Sequence, residues 1–262
     1  MEKLIKDITG GGLLVLFMIT MLTACAQSSR DKEKDITKSE EQLDSGFVNI
    51  FDGKTLNGWE GDSAYWRVED GELVGERKAT DEPLERNTFI IWKGGEPVDF
   101  ELKLMYKISP EGNSGINYRS ELVESIPNAL KGYQADIDGK NNYTGQNYEE
   151  RKRTTLAYRG QVVEVPNGIQ GESKNNAWTT VIVKDTLGDL DKLKSSIKDA
   201  DWNECRIVAK GNRLQHYVNG VLMSDVTDND PKNRKMAGLI GVQIHVGPPM
   251  KVAFKDIKLK NL

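Results

Sequence analysis

The feature that most constrains this chain is the run Phe100-Glu101-Leu102-Lys103-Leu104-Met105-Tyr106-Lys107-Ile108. Phe100, Leu102, Leu104, Tyr106 and Ile108 recur with a period of two, which places them on one face of an extended strand. A helix would scatter the same residues around its circumference. Shorter stretches repeat the logic. Tyr65–Glu69 and Glu72–Gly75 flank Asp70-Gly71, and Val221–Ser224 follows Asn219-Gly220, both tight-turn signals between strands. Trp202–Lys210 and Arg213–Val218 form a hairpin across Gly211-Asn212, and Gly238–Val246 and Lys251–Leu259 close the series. Only Asp185–Asp201 reads as a helix, and it is short and polar. Many short strands with turns every 8–12 residues or so predict an all-β fold: a two-sheet antiparallel β-sandwich with one short helical excursion.

The first 46 residues have a different texture. Lys3 and Lys6 precede an apolar run, Leu13–Leu22, that is too short to span a bilayer comfortably. It ends in Leu22-Thr23-Ala24-Cys25, the pattern of a bacterial lipobox whose cysteine is acylated and becomes the new N-terminus. Residues 1–24 are therefore expected to be a signal peptide, Cys25 a lipidation site, and 25–46 a charged, flexible tether. Ala26 follows the cysteine where an acidic residue would signal retention in the inner membrane, so an exported lipoprotein of the outer membrane is expected. One domain spans 47–262. With Cys25 lipidated, Cys205 has no intrachain partner, and its strand-like surroundings predict a structural role.

The 36 basic and 40 acidic residues give a net charge of -4, which argues against a nucleic-acid partner. No HExxH, paired CxxC, GxSxG or phosphate-binding glycine loop is present. The sequence requires no cofactor. A structural calcium would suit such a sandwich, but no acidic loop specifies its ligands, and the metal remains unassigned.

The chemistry instead concentrates on the strand faces turned away from the core. In Gly132–Arg151 (GYQADIDGKNNYTGQNYEER), Tyr133, Ala135 and Ile137 alternate with Gln134, Asp136 and Asp138. Asn117 and Arg119 oppose Ile116 and Tyr118; Thr155 and Arg159 add to the set; Gln243 and His245 oppose Val242, Ile244 and Val246. Planar carboxamides, carboxylates and arginine recognise hydroxyls directionally. Together these faces predict a sugar site, with Tyr133, Tyr143, Tyr148 and Trp178 as stacking surfaces and Glu149, Glu150 and Arg151 close by. A sheet that simply faces water is the plain alternative. His216 shares a face with Leu214 and Val218, which predicts a core histidine.

Several segments in order, FDGKTLNGW (51–59), WRVEDGEL (66–73), DFEL (99–102), GNSGINYR (112–119), DWN (201–203), GNR (211–213), VNG (218–220) and GVQIH (241–245), resemble the 3-keto-disaccharide hydrolase family. The resemblance covers the whole region from 47 onward. It implies a concanavalin A-like jelly roll and cleavage of a glycoside whose C3 hydroxyl a separate sugar 3-dehydrogenase has oxidised to a ketone. The ketone acidifies the C2 hydrogen. A base removes it, the C1 group leaves by elimination, and water adds. On this reading His245 is the base, or partner to Asp136 or Asp138, and Arg119 stabilises the enolate. Asn117 and Gln243 orient the sugar, Gln134 lines the same face, and Glu149 or Glu150 protonates the leaving group. Gln134-Ala135-Asp136 departs from the Glu-x-Gln triplet of many members. The rival readings are a conventional glycoside hydrolase, which needs two nearby carboxylates, and a non-catalytic carbohydrate-binding lipoprotein.

Overall fold

The computed structural model describes residues 45–262. The expected signal peptide, Cys25 and the tether up to residue 44 lie outside the described residues. Two sheets face each other, as the alternation predicts. In spatial order the larger contains Ile182–Thr186 (β14), Gln161–Val165 (β11), Val221–Asp228 (β17), Arg213–Val218 (β16), Asn203–Lys210 (β15), Phe100–Ile108 (β6), Met250–Asn261 (β19), Glu72–Arg77 (β4) and Trp66–Glu69 (β3). Val48–Asn49 (β1) adds to the far end of β19. The second contains Ser173–Lys174 (β12), Ala177–Trp178 (β13), Thr154–Ala157 (β10), Asn147–Glu150 (β9), Leu130–Asp138 (β8), Asn113–Leu122 (β7), Leu239–Ile244 (β18), Thr88–Trp92 (β5) and Trp59–Glu60 (β2).

Pairing is antiparallel except at two places, β11 with β17 and β10 with β13. These parallel pairs correct the wholly antiparallel expectation. A parallel neighbour needs a long crossover, and between β10 and β13 the chain supplies one by leaving for β11 of the opposite sheet and returning through the β12–β13 hairpin. The helical excursion is one short helix, Leu190–Ser195 (α1), capped by Asp189, whose carboxylate accepts from Lys192 N at 2.9 Å. Among the described residues no helix is long and apolar enough to cross a membrane.

The five apolar positions of β6 are all buried and pack with Trp66, Ile116, Ile207 and Phe254 between the sheets. Each such side chain contributes ~1.5–3 kcal/mol through burial. Gly75 is compulsory here, because a Cβ would lie 2.5 Å from the Trp66 ring. Two polar clusters sit within this interior. His216, 1% exposed, meets the Tyr118 hydroxyl at 2.8 Å and the Gln146 carbonyl at 3.2 Å; burial lowers its pKa to about 4. Arg153 is clasped by Glu149 and Asp228, each at 2.5 Å. Cys205 is buried, and burial pushes its thiol up to about 12, as befits a structural cysteine.

Candidate active site

Because β8 alternates without interruption, Gln134 and Asp136 project from the outer face of the nine-stranded sheet while Tyr133 and Ala135 enter the core. Gly115 lies opposite Asp136 on β7, and a Cβ there would lie 2.3 Å from the Gln134 carboxamide carbon. The bare backbone at 115 lets Gln134 lie flat and reach its neighbour. Gln134 Nε2 donates to Asp136 Oδ1 at 2.6 Å, and Gln146 Nε2 donates to Oδ2. Burial nevertheless dominates, and it pushes the Asp136 carboxyl up to about 7 against both hydrogen bonds; Glu150 and Asp138 add like-charge repulsion.

Glu150 faces the same way from β9. Gln243 Nε2 links the two regions, donating to Gln134 Oε1 at 3.1 Å and to Glu150 Oε2 at 3.4 Å. Asn87 Nδ2 donates to Glu150 Oε1 at 3.2 Å, and Asn87 Oδ1 accepts from Val246 N at 3.0 Å. Asn87 thus ties the acid to the segment carrying His245. Burial raises the Glu150 pKa, opposed by the Asn87 bond and by the nearby Arg151 and His245. The His245 Nδ1 meets the Val246 carbonyl, which can only accept. Nδ1 therefore holds the ring proton in the neutral imidazole, and Nε2 carries a free lone pair.

These groups line a cleft of about 260 Å³, closed around its sides by Asn113, Tyr143, Tyr148 and Asn176. Tyr148 is pushed up to about 12 by burial and by Glu150 and Asp136, so it stays a neutral phenol. Larger depressions of about 870 and 540 Å³ run beside Glu121–Ser125 and Gly94–Asp99, but no acid or histidine among their lining residues is buried. The 260 Å³ cleft is where buried acids and a histidine converge. Among the described residues no group of three or more His, Cys, Asp and Glu is placed to hold a metal ion.

Of the residues expected in the site, the structure brings His245, Asp136, Glu150 and Gln134 together in the cleft, with Gln243 bridging behind them. Tyr143 and Tyr148 line it as well, while Arg119, Asp138, Asn117, Tyr133, Glu149 and Trp178 are placed elsewhere, each for a physical reason. Arg119 sits at a bulge where the β7–β8 register slips, with φ of 45°, so alternation fails there. Its guanidinium turns away to the Val98 and Gly211 carbonyls and to Asp99. Asp138 holds a loop, accepting from the backbone N–H groups of Asn142, Tyr143 and Thr144 at 2.8–2.9 Å. Asn117 does face outward but is fully buried beneath its neighbours, its carboxamide without a hydrogen-bonding partner in the protein.

Tyr133 and Glu149 point into the core: Tyr133 donates to Asp228 at 2.5 Å, and Glu149 pairs with Arg153 and Lys152. Arg151 lies 3.6 Å from Glu150 Oε1, flanking the acid. Trp178 lines a separate depression. Asn87, Asn113, Gln146 and Asn176 join the cleft unannounced. All lie at strand ends or in turns, where periodicity carries no facing information.

Residues 46–260 match the family described as the 3-keto-alpha-glucoside-1,2-lyase-like domain. The chain belongs to that family. A curated relative, the 3-keto-disaccharide hydrolase of Bacteroides thetaiotaomicron, is 23% identical over 237 residues, covering 83% of this chain and 79% of the relative. Two solved structures from Parabacteroides distasonis, provisionally described as glycosyl hydrolases, share the fold. The first has a TM-score of 0.54 at 20% identity, covering 85% of this chain and 97% of the other. The second has a TM-score of 0.52 at 18% identity, covering 82% and 99%. Family membership and the relative support a carbohydrate-active protein of glycoside hydrolase type.

Proposed function

We propose that this protein cleaves the glycosidic bond of 3-keto-glycosides, using His245, Glu150 and Asp136. The observation that carries the reading is the convergence of one imidazole and two buried acids, both with raised pKa, in a single cleft. His245 Nε2 removes the C2 proton that the neighbouring ketone acidifies. Glu150, in its acid form, protonates the departing C1 oxygen as the C1–O bond breaks, leaving a C1=C2 enone. Water then adds at C1, giving its proton to the Glu150 carboxylate, while the imidazolium returns a proton to C2. The sum is hydrolysis. Asp136, which holds its proton up to about pH 7, is suited to donate to the C3 oxygen as enolate charge develops. Arg119, the cation expected for that task, is committed to backbone carbonyls outside the cleft.

The ketone must be installed first, so a sugar 3-dehydrogenase is the class of enzyme that supplies the substrate. Together with the N-terminal sequence, the proposal is of an exported, lipid-anchored protein.

The deciding experiment incubates the protein with a 4-nitrophenyl glucoside and with its 3-keto form. Cleavage of the keto form alone, abolished in His245→Ala with the melting temperature retained, is the expected result. Near-normal activity in His245→Ala would sink the assignment of the base. Turnover of the plain glucoside would replace the reading with a conventional glycosidase, and binding without turnover would replace it with a lectin.

A further inference from the structure

Trp178 was expected among the cleft residues, yet it lines a second depression of about 350 Å³ with Asn167, Gln170, Gly171, Asp230 and Asn233. Its indole is partly buried against the main core, and a Cβ at Gly171 would lie 2.6 Å from Trp178 Cε2. Only glycine allows the backbone at 171 to lie against the indole, so the ring is held in place from two sides.

The polar lining is also ordered in advance. Asp230, 8% exposed, accepts from Lys232 N at 3.0 Å and from Asn233 Nδ2 at 2.6 Å, and it lies 3.5 Å from Arg153. Its charge is thus balanced from within the protein, and it orients the Asn233 carboxamide.

The depression is joined to the cleft by one element. Ser173–Lys174 and Ala177–Trp178 pair across Asn175-Asn176, both at positive φ (52° and 58°), the pattern of a two-residue hairpin turn. The tip, Asn176, lines the cleft: its Oδ1 accepts from the Tyr148 hydroxyl, and its carbonyl from Thr155 N, both at 3.2 Å. Trp178 follows two residues later, ~7 Å along the strand.

We propose that this depression is a second saccharide site, taking a neutral sugar unit of a glycan whose chain continues past the cleft. A fixed indole beside the oriented Asn233 carboxamide suits the apolar face and hydroxyl rim of an uncharged sugar. The inference goes beyond the proposed cleavage and is tested without it.

Maltotetraose and cellotetraose, neither oxidised, are titrated into the full chain, following the indole N–H resonances by NMR and the heat of binding. One of the two should shift the Trp178 resonance. Trp178→Ala should weaken binding by about tenfold or more and Asn233→Ala by a few-fold. Should Trp178→Ala fail to fold, Asn233→Ala and Trp178→Phe decide, the latter keeping most of the affinity through its ring. The proposal is overturned if neither tetrasaccharide moves the Trp178 resonance or if Trp178→Ala and Asn233→Ala both bind like the parent. It also falls if only an anionic control such as tetragalacturonate binds. Failure of 3-keto cleavage would leave every one of these readings standing.

Discussion

Glu149 and Glu150 are neighbours in the chain and belong to different worlds. Glu149 points between the sheets, where Arg153 and Lys152 hold it at 2.5 and 3.0 Å. Glu150 points out into the cleft, where amides contact it and only the flanking Arg151 offers a cation, at 3.6 Å. Both are largely hidden from water, but only the first is neutralised by short contacts to cations. A buried acid satisfied by a cation serves the fold; one surrounded by amides keeps a raised pKa and is available for proton transfer. The same contrast separates Asp228, clamped by Arg153, from Asp136, held by two carboxamides.

The largest test of this contrast is Arg153→Met, which leaves Glu149, Asp228 and Asp230 without their shared cation. It should cost ~3–5 kcal/mol of stability, read by chemical denaturation. Glu150→Gln should show the opposite profile: its stability should stay within ~1 kcal/mol of the parent, while turnover of a 3-keto-glucoside falls by about 10²-fold or more. Equal destabilisation by the two variants would erase the distinction.

Asp136 sharpens it through pH. Its folded pKa of about 7 lies above the value of 3.8 it has when solvated, so the native state binds the proton more tightly than the unfolded state. That contribution is complete below about pH 4 and is lost as pH rises through 7. Stability should therefore decline by ~4 kcal/mol across this window, and Asp136→Asn should remove the decline. A smaller effect, ~1 kcal/mol, is expected for Gly115→Ala, whose new methyl displaces Gln134; loss of activity should exceed loss of stability. An unchanged pH profile in Gly115→Ala would show that Gln134 does not hold Asp136.

Where the backbone is regular, the period of two was enough to read the molecule. It placed the β6 core residues, the outward Gln134 and Asp136 of β8, and the core-facing His216, because an uninterrupted strand must alternate its side chains. It failed where regularity failed. The bulge at Arg119 turned an expected enolate stabiliser into a clamp on backbone carbonyls, and Asp138, at the end of β8, became the organiser of the loop that follows it.

Sequence by itself thus determined the sandwich, the sign of most strand faces, and the family. It could also name His245 and Asp136, since these side chains lie on or next to strands whose apolar partners reveal their direction, but it left Glu149 and Glu150 undivided. Only the tertiary structure decided which polar groups share a cleft. Asn87 is brought to Glu150 across 63 positions of chain, and Gln243 to Gln134 across 109. Such meetings depend on strand order and register, which no local pattern encodes. The structure also decided which carboxylates were matched with cations, because Arg153 meets Asp228 only once the β9–β10 turn and the end of β17 have been brought together in the folded sandwich.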